Sequence, residues 1–313
     1  MRIDPLDHAG TGGALSPLGP ATPAEIGAGA ALPPEAIARA AEDVGVKKAR
    51  LDLATLFGLA VLGGAFVALG GLFSTVVLAG ADGHLAYGVS RLLAGLVFSL
   101  GLVLVVVAGA QLFTSDCLMV MAWASGRLRF SEMLRVWTVV WIGNLVGALG
   151  TAGLVFLSGQ HEFGHGAVGD VALYIAGAKS NLAVDRAFFL GILCNVLVCL
   201  AVWLALGARS VSDKILAVVF PVTAFVAAGF EHCVADMYFM PLGLMIERGG
   251  SADFWVDIAR LGHVRTAISP SGFVVNLAAV TLGNWVGGAV LVGVVYWFLY
   301  RRKAPPVAAG GAR

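Results

Sequence analysis

The chain has 313 residues, a mean hydropathy of +0.89, 59% hydrophobic residues and only 12% charged ones. A soluble domain carries roughly 25% charged residues, so a water-soluble fold is excluded; bulk disorder, which needs low hydrophobicity and high charge, is excluded too. A formal net charge of +1, with no basic block beyond Arg301-Arg302-Lys303, lacks the footprint of a nucleic-acid binder and leaves a polytopic membrane protein.

Residues 1–31 are rich in Gly, Pro and Ala and lack periodicity. Arg2 is followed by Asp4 and Asp7 rather than an apolar core, so the segment reads as a disordered cytoplasmic tail and not a signal peptide. From Pro33 to Arg50 the pattern changes. Pro33-Pro34-Glu35 opens a helix, and Ile37, Ala40, Ala41 and Val44 follow at helical spacing, predicting a short amphipathic helix on the membrane surface. It begins a transmembrane domain over 32–303, which a short tail, 304–313, follows.

Six nearly uncharged stretches come next, at about 53–79, 89–124, 133–157, 185–207, 214–246 and 273–300. A helix needs about 20 apolar residues to cross a bilayer, so four of them fit a simple span. The second and fifth are too long for one, and each carries ionisable residues midway: Asp116 in one, Glu231, His232 and Asp236 in the other. Each interruption follows an Ala-Gly pair, Ala108-Gly109 and Ala228-Gly229. Lys and Arg concentrate in the segments on the N-terminal side, among them Lys47, Lys48, Arg127, Arg129, Arg301 and Arg302. That bias places both termini in the cytoplasm.

The third span reads Gly143-Asn144-Leu145-Val146-Gly147 and the sixth Gly283-Asn284-Trp285-Val286-Gly287. Spans 1–3 and 4–6 are therefore two copies. An odd number of spans per copy turns the second upside down, and inverted repeats with interrupted helices point to a pathway where they meet.

His232 is the sharpest chemical feature. An ionisable group inside a span is costly and marks function by default, and imidazole exchanges protons near neutral pH. Glu231 cannot face one pore together with its neighbour from a regular helix; it is expected to hold freed backbone amides. Asp236 either pairs with the imidazole or lines a polar vestibule. In Leu112-Phe113-Thr114-Ser115-Asp116 the resuming half-helix offers N–H donors to an anion, with the hydroxyls of Thr114 and Ser115 as caps or substrate contacts. Cys117, Cys194, Cys199 and Cys233 lie in apolar runs and read as small hydrophobes. His161-Glu162-Phe163-Gly164-His165 has the zinc-protease spacing, but glycines crowd it. It reads as a solvated external loop; no metal or other cofactor is expected, nor an enzyme.

Gly229-Phe230-Glu231-His232 with Met240-Pro241-Leu242-Gly243 resembles the second broken helix of the formate/nitrite transporter family. Leu112 to Ser115, Gly143 to Gly147, Leu190 to Asn195 and Val280 to Asn284 match its other motifs, so the resemblance spans about 33–303 and is nearest the formate channels. It implies an all-α, aquaporin-like protomer of six spans with broken second and fifth helices. It also implies a homopentamer in the plasma (inner) membrane, each protomer with its own pore for formate and protons. By resemblance, His232, Thr114, Asn195 and Lys179 line the pore. Phe98, Leu102 and Phe225 form apolar constrictions, and Leu112, Phe113, Ser115 and Glu231 support the pore loops. The chain departs from the family at Gln111, Asp236 and Ala279. Nitrite or hydrosulfide is the alternative cargo, and a neutral-solute or water channel the alternative class.

Overall fold

The computed structural model describes residues 31–262 and 266–303. The N-terminal tail, apart from Ala31, and the C-terminal tail lie outside the described residues. The fold is all-α. Helix α1 is Pro34–Ala49, α2 Leu53–Leu78, α3 Tyr87–Gly109, α4 Phe113–Ala124 and α5 Phe130–Leu157. Then come α6 Ala167–Ser180, α7 Val184–Gly207, α8 Val211–Ala227, α9 Cys233–Gly249, α10 Ala252–Ala259 and α11 Pro270–Tyr300. Helices α2, α3, α5, α7 and α11 are each long and apolar enough to cross a bilayer; α8 and α9 divide the remaining span between them.

Polar residues set the helix starts. Asp52 accepts the Thr55 N–H at 3.0 Å to open α2, and Ser210 and Asp213 cap α8 reciprocally. Glycine ends the first half of each broken span. Gly109 (φ 88°) and Gly229 (φ 74°) take the left-handed conformation that side chains with a Cβ avoid.

The two halves pack by the same rule. In α5, a Cβ on Gly147 would lie 1.9 Å from the Val61 carbonyl oxygen of α2; in α11, one on Gly287 would lie 2.2 Å from the Ile192 oxygen of α7. Both pairs of backbones touch, as small residues permit where lipid supplies no hydrophobic drive between helices. Helices α3 and α8 pack against each other between the halves.

Helix α1 does not lie free on the membrane surface. Its face of Ile37, Ala38, Ala41 and Gly45 is buried in the protein, with Gly45 against Ala122 and Met119 of α4. The reason is Glu42, which is fully buried and accepts from Ser125 (2.6 Å), Arg127 (3.2 Å) and Arg301 (2.8 Å). A carboxylate so placed ties α1 to the loop after α4 and to the end of α11.

Candidate functional site

Each broken span exposes backbone groups at membrane depth, where every N–H and C=O needs a partner. One asparagine from the repeated motif supplies them in each half. Asn144 Nδ2 donates to the oxygens of Gln111 (2.9 Å) and Ala60 (2.7 Å), and its Oδ1 accepts the Phe113 N–H at 2.9 Å. Asn284 donates to the oxygens of Glu231 (2.9 Å) and Gly191 (2.8 Å) and accepts the Cys233 N–H at 2.9 Å. Both side chains are fully buried. Of the two roles left open for the Thr114 and Ser115 hydroxyls, capping of the α4 N–H groups is not one they fill. Ser115 donates to the Leu112 oxygen at 2.8 Å, and it is Asn144 that takes the first free N–H.

The breaks bring His232 and Thr114 together, with Nε2 3.0 Å from Oγ1. His232 also caps α9, its Nδ1 accepting the Ala235 N–H at 3.1 Å. That bond leaves Nδ1 without a hydrogen, so the neutral ring carries its proton on Nε2 and donates it to Thr114. Phe225 stacks on the imidazole at 5.9 Å, and Phe98 meets Phe225 edge-on at 5.8 Å. On one side of this group lies a cavity of 180 Å³ reached by Lys179, Glu231, His232, Phe98, Phe225 and Phe239. Through Arg91 and Tyr174 its lining continues into a vestibule of 590 Å³. On the other side, among Phe98, Leu102, Leu112, Val198, Phe225 and His232, the space shrinks to 10 Å³.

Asn195 lines none of these cavities. Its Nδ2 donates to the oxygens of Thr114 (3.1 Å) and Asn284 (2.6 Å), so it positions Thr114 and joins the halves. Phe113 likewise contributes its backbone N–H to the Asn144 strut. Glu231 does not hold backbone amides, because Asn284 satisfies the break. Both its oxygens instead accept from Lys179 Nζ at 2.8 Å. Asp236, buried completely, pairs with the same ammonium at 2.7 Å and not with the imidazole. The four cysteines are free and buried. His161 is buried too, stacked on Phe156 at 5.1 Å and edge-on to Phe254 at 5.2 Å, which corrects its reading as solvated. Burial holds its pKa below the usual imidazole value. His165 stands at φ 55°, outside any helix, so the two histidines share no helical face.

The family model described as formate/nitrite transporter matches residues 35–298. The chain belongs to the formate/nitrite transporter family. It is 40% identical over 273 residues to "Formate channel FocA" of Escherichia coli (strain K12), covering 87% of this chain and 95% of the relative. Identity to the formate channel of the same name from Haemophilus influenzae is 38%, over 86% and 95%. A solved structure described as a pentameric formate channel with formate bound matches with a TM-score of 0.73 and 41% identity, over 79% of this chain and 97% of that one. A second, described as an FNT family ion channel, matches at 0.72 and 28%, over 84% and 98%. The chain is thus an integral membrane protein with the aquaporin-like fold of this family, a class of transporters and channels rather than enzymes.

Two residues of this family member escaped the sequence reading. Arg91 of α3 donates to the Val226 and Ala227 oxygens, capping the first half of the broken fifth span. Lys48 of α1 pairs with the buried Asp116. A signal for Lys48 was available, since it stands five residues before Leu53 as Lys179 stands five before Val184. The repeat register, extended backwards by one helix, makes the two lysines counterparts.

Proposed function

We propose that the chain carries formate across the inner membrane through one pore in each protomer of a homopentamer, with both termini cytoplasmic, and that uptake is proton-coupled. One observation supports the reading above all: a proton-bearing His232–Thr114 pair sits where two helix breaks meet, bounded by a dry aromatic constriction. The names of the relatives supply the cargo and the assembly.

The physics follows from the charge of the cargo. Moving a bare carboxylate into an apolar constriction costs on the order of tens of kcal/mol in an ideal low-dielectric medium. The neutral acid escapes that cost. Lys179, 5.9 Å from the Phe239 ring, draws the anion into the 180 Å³ cavity. There the Thr114 hydroxyl and His232 Nε2 meet it. Because Nε2 already carries the ring hydrogen and Nδ1 accepts the Ala235 N–H, the ring can give its Nε2 proton to the substrate only as Nδ1 takes one up. Full protonation of the ring requires the cap bond to break, which couples the proton to the first turn of α9.

The test is swelling and uptake by proteoliposomes given formate, nitrite, hydrosulfide or glycerol at two pH values. Formate permeation that rises in acid and resists glycerol competition is expected. Glycerol permeation equal to that of formate would overturn the reading in favour of a neutral-solute channel.

A further inference from the structure

The inverted repeat places three residues at matching positions of its two halves, and in the second half Lys179 and Glu231 line the 180 Å³ cavity. Each set comprises a lysine five residues before a long span, a residue two past the break glycine, and an aspartate seven past it. In the first half these are Lys48, Gln111 and Asp116; in the second, Lys179, Glu231 and Asp236. The geometry is shared but the charge is not. Lys48 faces one carboxylate, while Gln111 is uncharged and its Oε1 has no hydrogen-bond partner. Lys179 faces two carboxylates, Glu231 at 2.8 Å and Asp236 at 2.7 Å. The first cluster is neutral, whereas the second carries one negative charge in excess. Asp236 has 0% side-chain exposure and an Oδ2 with no hydrogen-bond partner.

An uncompensated buried charge is costly, and a proton is the smallest ligand that removes it. The groups facing these carboxylates are few. Lys179 comes from α6, Arg91 of α3 lines the same cavity, and Cys194 comes from α7. His232 and Cys233 are sequence neighbours, and Cys117 of α4 lies beyond Cys233. Helix α2 brings the hydroxyl of Ser74, and α11 brings the amide of Asn284. Helix α5 carries its charges, Glu132 and Arg135, at its first turns beside α1 and far from this cluster. Beyond Lys179, only Arg91 of these adds a positive charge, and it donates to the Val226 and Ala227 oxygens rather than to either carboxylate.

Building on the transport reading above, we propose that Glu231, Asp236 and Lys179 form a proton-operated charge gate at the outer mouth, with no equivalent at the inner mouth, where Gln111 replaces the matching acid. With both carboxylates charged, the outer cluster repels a second anion and occupies Lys179 fully. With one proton shared between them the cluster is neutral, and the ammonium attracts formate. Influx through the outer mouth thus gains a proton dependence that influx through the inner mouth lacks. Any proton step at His232 is common to both directions and cancels in their ratio.

The experiment measures formate influx into right-side-out and inverted membrane vesicles between pH 5 and pH 8 on the loading side. In the wild type, the ratio of outer to inner influx is expected to fall several-fold as pH rises. Glu231→Gln gives the outer cluster the composition of the inner one and should flatten the ratio. Asp236→Asn should do the same and serves if the first variant does not assemble. Gln111→Glu should restore the balance from the other side, making inner influx pH-dependent in step. A wild-type ratio that does not change with pH, while formate still crosses, overturns the gate and leaves the transport reading standing. So does a ratio that both neutralising variants leave unchanged. No formate flux from either side overturns the transport reading itself, and the gate with it.

Discussion

His232 makes two hydrogen bonds that asparagine reproduces in kind: an acceptor for the Ala235 N–H and a donor for Thr114. What asparagine lacks is a titratable proton. His232→Asn is therefore expected to keep the pore built and leaking while losing accumulation against a gradient. Formate uptake into vesicles with an imposed pH gradient should fall from a several-fold accumulation to equality with the bath. Accumulation at the wild-type level would reduce His232 to a capping residue. Phe98 tests the constriction. Its ring contacts Phe225 edge-on and leaves only 10 Å³ beyond, no more than about one water occupies. Phe98→Ala should raise anion leak several-fold and admit acetate, read by swelling in each salt. At this scale His232 was legible because an ionisable residue inside a span marks its own position, and Thr114 because it lies in an interrupted span, whereas the phenylalanines followed only from the family resemblance. The partners of Glu231, Asp236 and Asp116 were not. Each depends on a lysine at least 52 positions away, and no local spacing encodes which amine arrives.

At the scale of elements, the breaks were readable from Ala-Gly pairs and the repeat from Gly-Asn-x-Val-Gly. The work of the asparagine was not, because its bonds run to backbone groups of two other helices. Asn144→Leu would strand the Phe113 N–H and the Gln111 oxygen in a dry interior. Each buried group left unsatisfied costs about 1–3 kcal/mol. The detergent-solubilised protein should melt markedly earlier, and flux should fall with it. Glycine contacts give a paired test on one helix. Gly147→Ala drives a Cβ into the Val61 oxygen, whereas Gly150 has nothing within 4 Å. The first should cost about 1–3 kcal/mol or more, as overpacking does, and the second almost nothing, both followed by thermal unfolding. The amphipathic pattern of α1 was legible as a helix, but not that protein covers its apolar face. An apolar face looks the same whether lipid or protein covers it, and only the buried Glu42 distinguishes the two.

At the scale of the whole molecule, many large apolar side chains face outward, among them Leu62, Phe73, Leu154, Phe189 and Phe220. Lipid and a neighbouring protomer both suit such a surface, so apolarity alone does not assign an interface. Native mass measurement in mild detergent is expected to find five chains, and a monomer under those conditions would count against the proposed assembly. Glu42 carries a consequence of another kind, for the order in which the molecule is made. One of its partners, Arg301, lies 259 residues downstream. During synthesis the first helix emerges with a carboxylate whose last partner has not been translated. Such a long-range contact forms late, after the intervening chain is in place. Docking of α1 is thus complete only once the end of α11 is in place. A nascent chain stopped before Arg301 should leave this helix open to protease, while the finished one conceals it.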